Sequence, residues 1–178
     1  MYLNIDALIA KEAYEKPSKR KTILERHFVL DPYINSKYVC VYVNRRNGLA
    51  LLGIRGTDPS KPRDLFTDLY IGSGGSFDNM KRFNDVKKEY DIFLNKYPHN
   101  NRVVGHSLGG MIGEELGRRH KDNIETEYVL FNKGHTPYMN NESVNRLIKS
   151  YRIEKDLVSG LSRRGETLKS KNLEDKLL

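Results

Sequence analysis

The sequence lacks the features that mark secreted and membrane-spanning proteins. It has one cysteine, Cys40, in 178 residues and therefore cannot form an internal disulfide, and it has no uninterrupted run of 18 apolar residues. The first eleven residues lack a basic start and carry Asp6 within their apolar part, which predicts an amphipathic helix rather than a signal peptide. We expect a single domain over residues 1–178 in a reducing, intracellular (cytoplasmic) compartment, with Cys40 buried in a strand.

Long stretches of one charge sign are also missing. The 31 Lys and Arg residues against 23 Asp and Glu residues give a formal net charge of +8, but the basic residues are scattered among acidic ones and form no stripe interleaved with aromatic residues. We therefore expect no specific nucleic-acid binding. The net charge does favour attraction to an anionic membrane surface, because nonspecific electrostatics requires no motif.

Apolar periodicity predicts an alternation of strands and helices along the chain. Strands are predicted over 37–43, 49–55, 102–104, 127–132 and 151–154, and helices over 3–15, 21–27, 83–94, 111–119 and 143–149. Asn47-Gly48 lies between the first two strands and is a strong hairpin signal. This order predicts an α/β fold in which an N-terminal antiparallel hairpin leads into a mostly parallel central sheet with helices on both faces.

The motif richest in chemical information is Gly105-His106-Ser107-Leu108-Gly109-Gly110. It fits the Gly-x-Ser-x-Gly turn that exposes a serine hydroxyl between a strand and a helix. Its flanks agree, because a short β-branched segment precedes it and a helical pattern follows. Ser107 is therefore a candidate nucleophile, and the N–H of Leu108 at the helix start is a candidate oxyanion donor.

Three motifs in this order resemble the class 3 (fungal triacylglycerol lipase-like) lipase family, a branch of the α/β-hydrolase fold. The nucleophile motif at 105–110 is similar to that family's signature. Ile54-Arg55-Gly56-Thr57 and the following segment 64–69 resemble its Arg-Gly-Ser/Thr and Asp-Trp-x-x-Asp-Leu segments, with Leu65 in place of the Trp. Asp156-Leu157-Val158 is similar to the family's acidic triad position.

The resemblance implies a serine-type lipase or carboxylic ester hydrolase that acts on a lipid or ester substrate without a cofactor or metal. It implies Ser107 as nucleophile, Asp156 as the triad acid, and Thr57 as the second oxyanion donor through its N–H and hydroxyl. Plainer interpretations stay open: a helix N-cap for Ser107, a solvated loop carboxylate for Asp156 and a turn residue for Thr57. We interpret His106 as a packed, hydrogen-bonded residue and not as the base.

A histidine after Asp156 is the one element of the resemblance that this sequence lacks. In this fold the triad runs Ser, Asp, His, whereas the histidines here are His27, His99, His106, His120 and His135. Three explanations are open: the histidine follows Leu178 in a longer protein, the fold has lost its base, or another histidine serves. His135 is the best substitute, because its strand should end beside the nucleophile.

A second function follows from the same absence. A lipase fold without its base would be a catalytically inactive protein with a structural or interaction role, for instance in a virus particle. Without a base the Ser107 hydroxyl stays protonated at neutral pH and is a weak nucleophile.

Overall fold

The computed structural model describes residues 3–57, 75–120, 122, 125–132 and 147–151. Within these ranges the α-helices are α1 (Leu3–Glu12), α2 (Lys81–Lys96) and α3 (Leu108–Arg119), and short 3₁₀ turns cover Pro17–Lys19 and Phe77–Asn79. The strands are β1 (Ile23–Leu24), β2 (Phe28–Asn35), β3 (Val39–Asn44), β4 (Ala50–Ile54), β5 (Asn101–His106), β6 (Thr126–Phe131) and β7 (Ile148–Tyr151).

The seven strands form one sheet whose spatial order follows the chain, from β1 at one edge to β7 at the other. The pairings β1–β2, β2–β3 and β3–β4 are antiparallel, whereas β4–β5, β5–β6 and β6–β7 are parallel. The fold is therefore mixed α/β, and the prediction of a mostly parallel sheet is wrong. The predicted hairpin is confirmed as β3–β4.

The sheet has more antiparallel pairing than predicted because β1 and β2 carry no clear strand pattern in the sequence. β2 contains Pro32, and its register against β3 is interrupted between Leu30 and Asn35. A proline beside an aspartate is typical of a turn, yet proline is tolerated in a strand at such an irregularity. The helical turn predicted over 21–27 is also wrong, since Ile23 and Leu24 form β1 by pairing with Val29 and Phe28.

The sheet carries a hydrophobic core on each face, which confirms helices on both faces. Alternate residues of each central strand point to opposite cores, and this explains why β4 is buried along its whole length. One core joins Val41, Leu52 and Val103 to the apolar faces of α2 and α3. The other joins Tyr42, Leu51 and Val104 to α1.

Two further predictions have clear outcomes. Cys40 lies fully buried on β3, as predicted, and burial raises the pKa of its thiol to about 12. The helix predicted over 143–149 is wrong at its end, because Ile148 begins β7 and pairs with Tyr128 of β6. Among the described residues, none of the helices has the length and apolar character to cross a membrane.

The parallel pairing of β4 with β5 sets the position of the candidate site. Ile54 is aligned with Gly105, so β4 and β5 end side by side and the chain leaves both strands at the same end of the sheet. Thr57 follows the end of β4 by three residues, and Ser107 follows the end of β5 by one residue. α2 lies in the chain between the two strands, and α3 leaves directly from the second one.

Candidate active site

Ser107 occupies a tight turn between β5 and α3. β5 ends at His106 and α3 begins at Leu108, so this serine alone connects the two elements. Its backbone has φ 55° and ψ −123°, a conformation that an L-residue with a side chain rarely adopts. Such strain costs of the order of 1–3 kcal/mol and persists only where the surroundings enforce it.

The glycines on either side of Ser107 allow this turn to close. A Cβ at Gly105 would lie less than 3.0 Å from backbone atoms of Gly109 and Gly110. A Cβ at Gly109 would come equally close to the backbone of Ile54 at the end of β4. The motif therefore needs glycine at both positions for steric reasons, and the close approach at Gly109 presses the start of α3 against β4.

The backbone bonds of Ser107 hold the turn from both sides. Its N–H donates to the carbonyl of Phe131 on β6 at 3.0 Å, and its carbonyl accepts from the N–H of Met111 in α3 at 3.1 Å. The Ser107 residue is half-buried. Leu108, the first residue of α3, has an N–H with no acceptor inside the helix, and the helix dipole favours negative charge at this end.

Thr57 lies at the same end of the sheet as Ser107, three residues beyond the end of β4. Its side chain is buried, and its hydroxyl oxygen has no hydrogen-bond partner among the residues that the structure describes. A buried hydroxyl without a partner is costly in an ordinary fold. The neighbouring Gly56 lies against the carbonyl of His106, which brings the segment 55–57 beside the nucleophile turn.

His106 is packed and hydrogen-bonded, as predicted. It is 6% exposed, and its Nδ1 lies 2.8 Å from the hydroxyl of Tyr14, just beyond α1. The two rings also meet edge to face, with centroids 5.9 Å apart. His106 therefore anchors the strand end before the nucleophile against the turn that follows α1.

The other described histidines lie away from Ser107. His99 stands before β5, at the opposite end of that strand, and pairs with Glu125 at 3.4 Å. His120 follows α3, about 18 Å of helix beyond its start. His27 lies in the β1–β2 turn at the sheet's edge. The candidate acid Asp156 and the substitute base His135 lie outside the described residues.

Two residues of the site were missed by sequence reasoning. Tyr14 touches His106 as described, and Arg82 in the first turn of α2 donates to the carbonyl oxygens of Arg55 and Gly56. Neither residue belongs to a motif. An isolated tyrosine after a helix and an arginine within a charged helix give no signal of such a contact.

Chemically, the arrangement brings together the half-buried Ser107, the N–H of Leu108 at a helix start and the buried hydroxyl of Thr57, where the parallel strands β4 and β5 end. Within the described ranges no group of three or more His, Cys, Asp or Glu side chains could hold a metal ion. When the chain is compared with models of known protein families and with curated proteins, nothing matches it.

Proposed function

We propose that this protein is a serine-type carboxylic ester hydrolase of the class 3 lipase family, with the α/β-hydrolase fold. The observation that carries the proposal is the backbone of Ser107. A residue with a side chain adopts φ 55° between a strand and a helix; two glycines without room for a Cβ allow the turn, and backbone hydrogen bonds to β6 and α3 hold it. Enforced strain of this kind is concentrated at functional sites.

In the proposed reaction the Ser107 oxygen attacks the acyl carbon of an ester while a base takes its proton. The carbonyl oxygen becomes an oxyanion, which accepts hydrogen bonds from the N–H of Leu108 and from the N–H and hydroxyl of Thr57. The tetrahedral intermediate expels the alcohol, which receives the proton from the base. Water then attacks the acyl-enzyme in the same way, releases the carboxylic acid and restores Ser107.

Thr57 supports this assignment because its buried hydroxyl has no partner within the described part of the chain. A substrate oxyanion would satisfy that hydroxyl, and removing one oxyanion donor typically costs about 10²–10³ in kcat. Under this proposal Asp156 orients the base, and His135 is the substitute base if no histidine follows Leu178.

A second candidate is an inactive lipase fold with a structural or interaction role. The observation that favours it concerns the base: of the histidines that the structure describes, only His106 adjoins Ser107, and its Nδ1 is engaged by Tyr14. A protein of this kind would keep the turn and lack turnover.

A fluorophosphonate probe separates the two candidates. The hydrolase should form one covalent adduct, and Ser107→Ala should abolish both this adduct and hydrolysis of a short activated ester. Absence of an adduct on the wild-type chain would favour the inactive candidate.

The pH dependence of labelling tests for the base. If a histidine serves, the labelling rate should rise with an apparent pKa near 6.5. His135→Ala should remove this step in the profile, whereas His99→Ala, which alters an exposed histidine at the opposite end of β5, should leave it unchanged. A profile insensitive to His135→Ala would exclude this residue as the base.

A further inference from the structure

Arg82 is bound to the segment that carries Thr57. Its Nη2 donates to the carbonyl oxygen of Arg55 and, at 2.9 Å, to that of Gly56. The guanidinium also stacks on the ring of Tyr38, 4.8 Å from its centroid. Burial lowers the pKa of Arg82, but its guanidinium stays charged at neutral pH. One side chain of α2 thus hydrogen-bonds to two successive backbone carbonyls beyond the end of β4.

Packing also confines the same segment. A Cβ added to Gly56 would lie less than 3.0 Å from both the Tyr14 hydroxyl and the carbonyl oxygen of His106. The Gly56 backbone therefore sits directly against the residue before Ser107. The hydrogen bonds from Arg82 and this packing together leave the segment little freedom to rotate.

Peptide geometry connects the hydrogen bond between Arg82 and the Gly56 carbonyl to the N–H of Thr57, the candidate oxyanion donor. The carbonyl of Gly56 and the N–H of Thr57 belong to one planar trans peptide unit, in which the C=O and N–H bonds point in opposite directions. Fixing the Gly56 oxygen therefore fixes the direction of the Thr57 N–H. The charged guanidinium makes this a stronger hold than a neutral donor would provide.

We propose that Arg82 is a positioning residue that aims the Thr57 N–H at the oxyanion by holding the Gly56 carbonyl. This inference rests on the proposed esterase function. Arg82 makes no contact with substrate in this scheme. It acts on the reaction only through the orientation of Thr57, and a misplacement of about 1 Å at an active site can cost about 100-fold in rate.

The test compares Arg82→Met and Arg82→Lys with a matched control, Arg119→Met. Methionine keeps much of the apolar stem and removes the donors, whereas lysine keeps the charge and part of the donor capacity. Arg119 also stacks on an aromatic ring, that of Phe83 at 4.7 Å, and pairs with Asp78 and Glu115. The hydrogen bonds of Arg119 go to these carboxylates and not to the segment 55–57.

The first readout is the order parameter of the Thr57 N–H, measured by NMR relaxation. We expect a rigid value of about 0.85 in the wild type and in Arg119→Met, and a value below about 0.6 in Arg82→Met. The second readout is ester hydrolysis: Arg82→Met should lower kcat about 30–100-fold with KM nearly unchanged, and Arg82→Lys should recover part of the loss. Millimolar ethylguanidinium should partly rescue Arg82→Ala.

The outcomes separate this inference from the proposed function. An unchanged Thr57 order parameter in Arg82→Met overturns the inference, whatever the activity. Increased motion of Thr57 with unchanged kcat also overturns it, because the hold would then not serve the reaction. A wild-type chain that is neither labelled nor active removes the esterase function, and the order parameter still decides whether Arg82 fixes this peptide.

Discussion

At the scale of single residues, Ser107 combines a conformational cost with the nucleophile role proposed for it. A glycine would adopt φ 55° and ψ −123° without the steric penalty that a Cβ brings. The backbone of the turn therefore does not require a side chain at this position. A half-buried serine that is kept at this cost beside a helix N-terminus is consistent with the proposed nucleophile role.

This cost can be measured with two substitutions that remove the same hydroxyl. Ser107→Gly should be more stable than Ser107→Ala by about 1–2 kcal/mol, because glycine relieves the strain whereas alanine retains it. Urea unfolding monitored by circular dichroism measures the difference. Equal stabilities of the two variants would mean that the turn is not strained at Ser107.

The close approach of α3 to β4 yields a second test at this scale. Gly109→Ala places a Cβ against the Ile54 backbone, which cannot move aside cheaply, and should destabilise the protein by about 2 kcal/mol or more. Gly113→Ala is the matched control one helical turn later, where the nearest atom is the end of the Leu130 side chain at 3.0 Å.

For Gly113→Ala the gain in helix propensity should offset the crowding, so its free energy of unfolding should stay within about 1 kcal/mol of the wild type. The rate of fluorophosphonate labelling should fall only in Gly109→Ala. A labelling rate in Gly109→Ala that matches the control would show that the turn tolerates the displacement.

Sequence reasoning identified the residues that act through backbone geometry and missed those that act through tertiary contact. Gly105, Ser107 and Gly109 are adjacent in the chain, so a local pattern reveals them. Arg82 and Tyr14 reach the site from sequence separations of 27 and 92 residues to Arg55 and His106. These contacts exist only in the folded sheet, and no periodic pattern in the sequence predicts them.

At the scale of elements, Asp31 ties β2 to the end of α2. One carboxylate oxygen accepts from Lys96 at 2.7 Å and from the Tyr97 hydroxyl at 2.8 Å, and the other accepts from the N–H of Tyr33 at 2.9 Å. Burial alone would raise the pKa of Asp31, but these hydrogen bonds outweigh it and hold the pKa below its usual value.

The lowered pKa predicts a pH-dependent contribution to stability. The contribution should be present above the unfolded pKa of about 3.9 and should be lost as the pH falls through the lower folded pKa. At pH 7 the wild type should be more stable than Asp31→Asn by about 2 kcal/mol, and the gap should begin to narrow as the pH falls below about 4. Urea unfolding from pH 3 to pH 7 measures it.

The matched control for this experiment is Asp85→Asn, which removes an exposed pair with Lys81 within α2. Its effect should be much smaller and should be screened by salt. A gap for Asp31→Asn that does not change with pH would contradict the assigned direction of the pKa shift.

Strands and helices were predictable where one periodicity dominated. The hairpin β3–β4, the helix α2 and the unit β5–α3 have continuous apolar patterns. β2 and β7 lack such a pattern, since β2 contains Pro32 and β7 has exposed or half-buried residues at all four positions. Pairing with a neighbouring strand, rather than local propensity, determines these two elements.

At the scale of the whole molecule, the candidate site draws on both faces of the sheet. Tyr14 comes from the turn after α1 on one face, whereas Arg82 comes from α2 on the other. Both side chains reach the segment 55–57 at the end of the sheet where β4 and β5 stop. The stability of the layered fold and the geometry of the site therefore depend on the same packing.

A buried ionic network joins three elements across this structure. Arg102 on β5 donates to Asp6 of α1 at 2.9 Å and to Glu127 of β6 at 2.6 Å. The side chain of Asp6 is only 3% exposed, whereas that of Glu127 is 35% exposed. Burial raises the pKa of Asp6, and the charge of Arg102 opposes this rise.

Arg102→Met should therefore leave a buried carboxylate without its cation and cost about 3–5 kcal/mol at pH 8. The pKa of Asp6 would then rise further, so the folded state would bind more protons than the unfolded state and the deficit should shrink as the pH falls toward 5. Adding Asp6→Asn should recover part of the stability and remove the pH dependence, which urea unfolding of both variants measures. A deficit that is constant with pH, or that persists unchanged in the double variant, would show that Arg102 contributes by packing rather than by compensating the charge of Asp6.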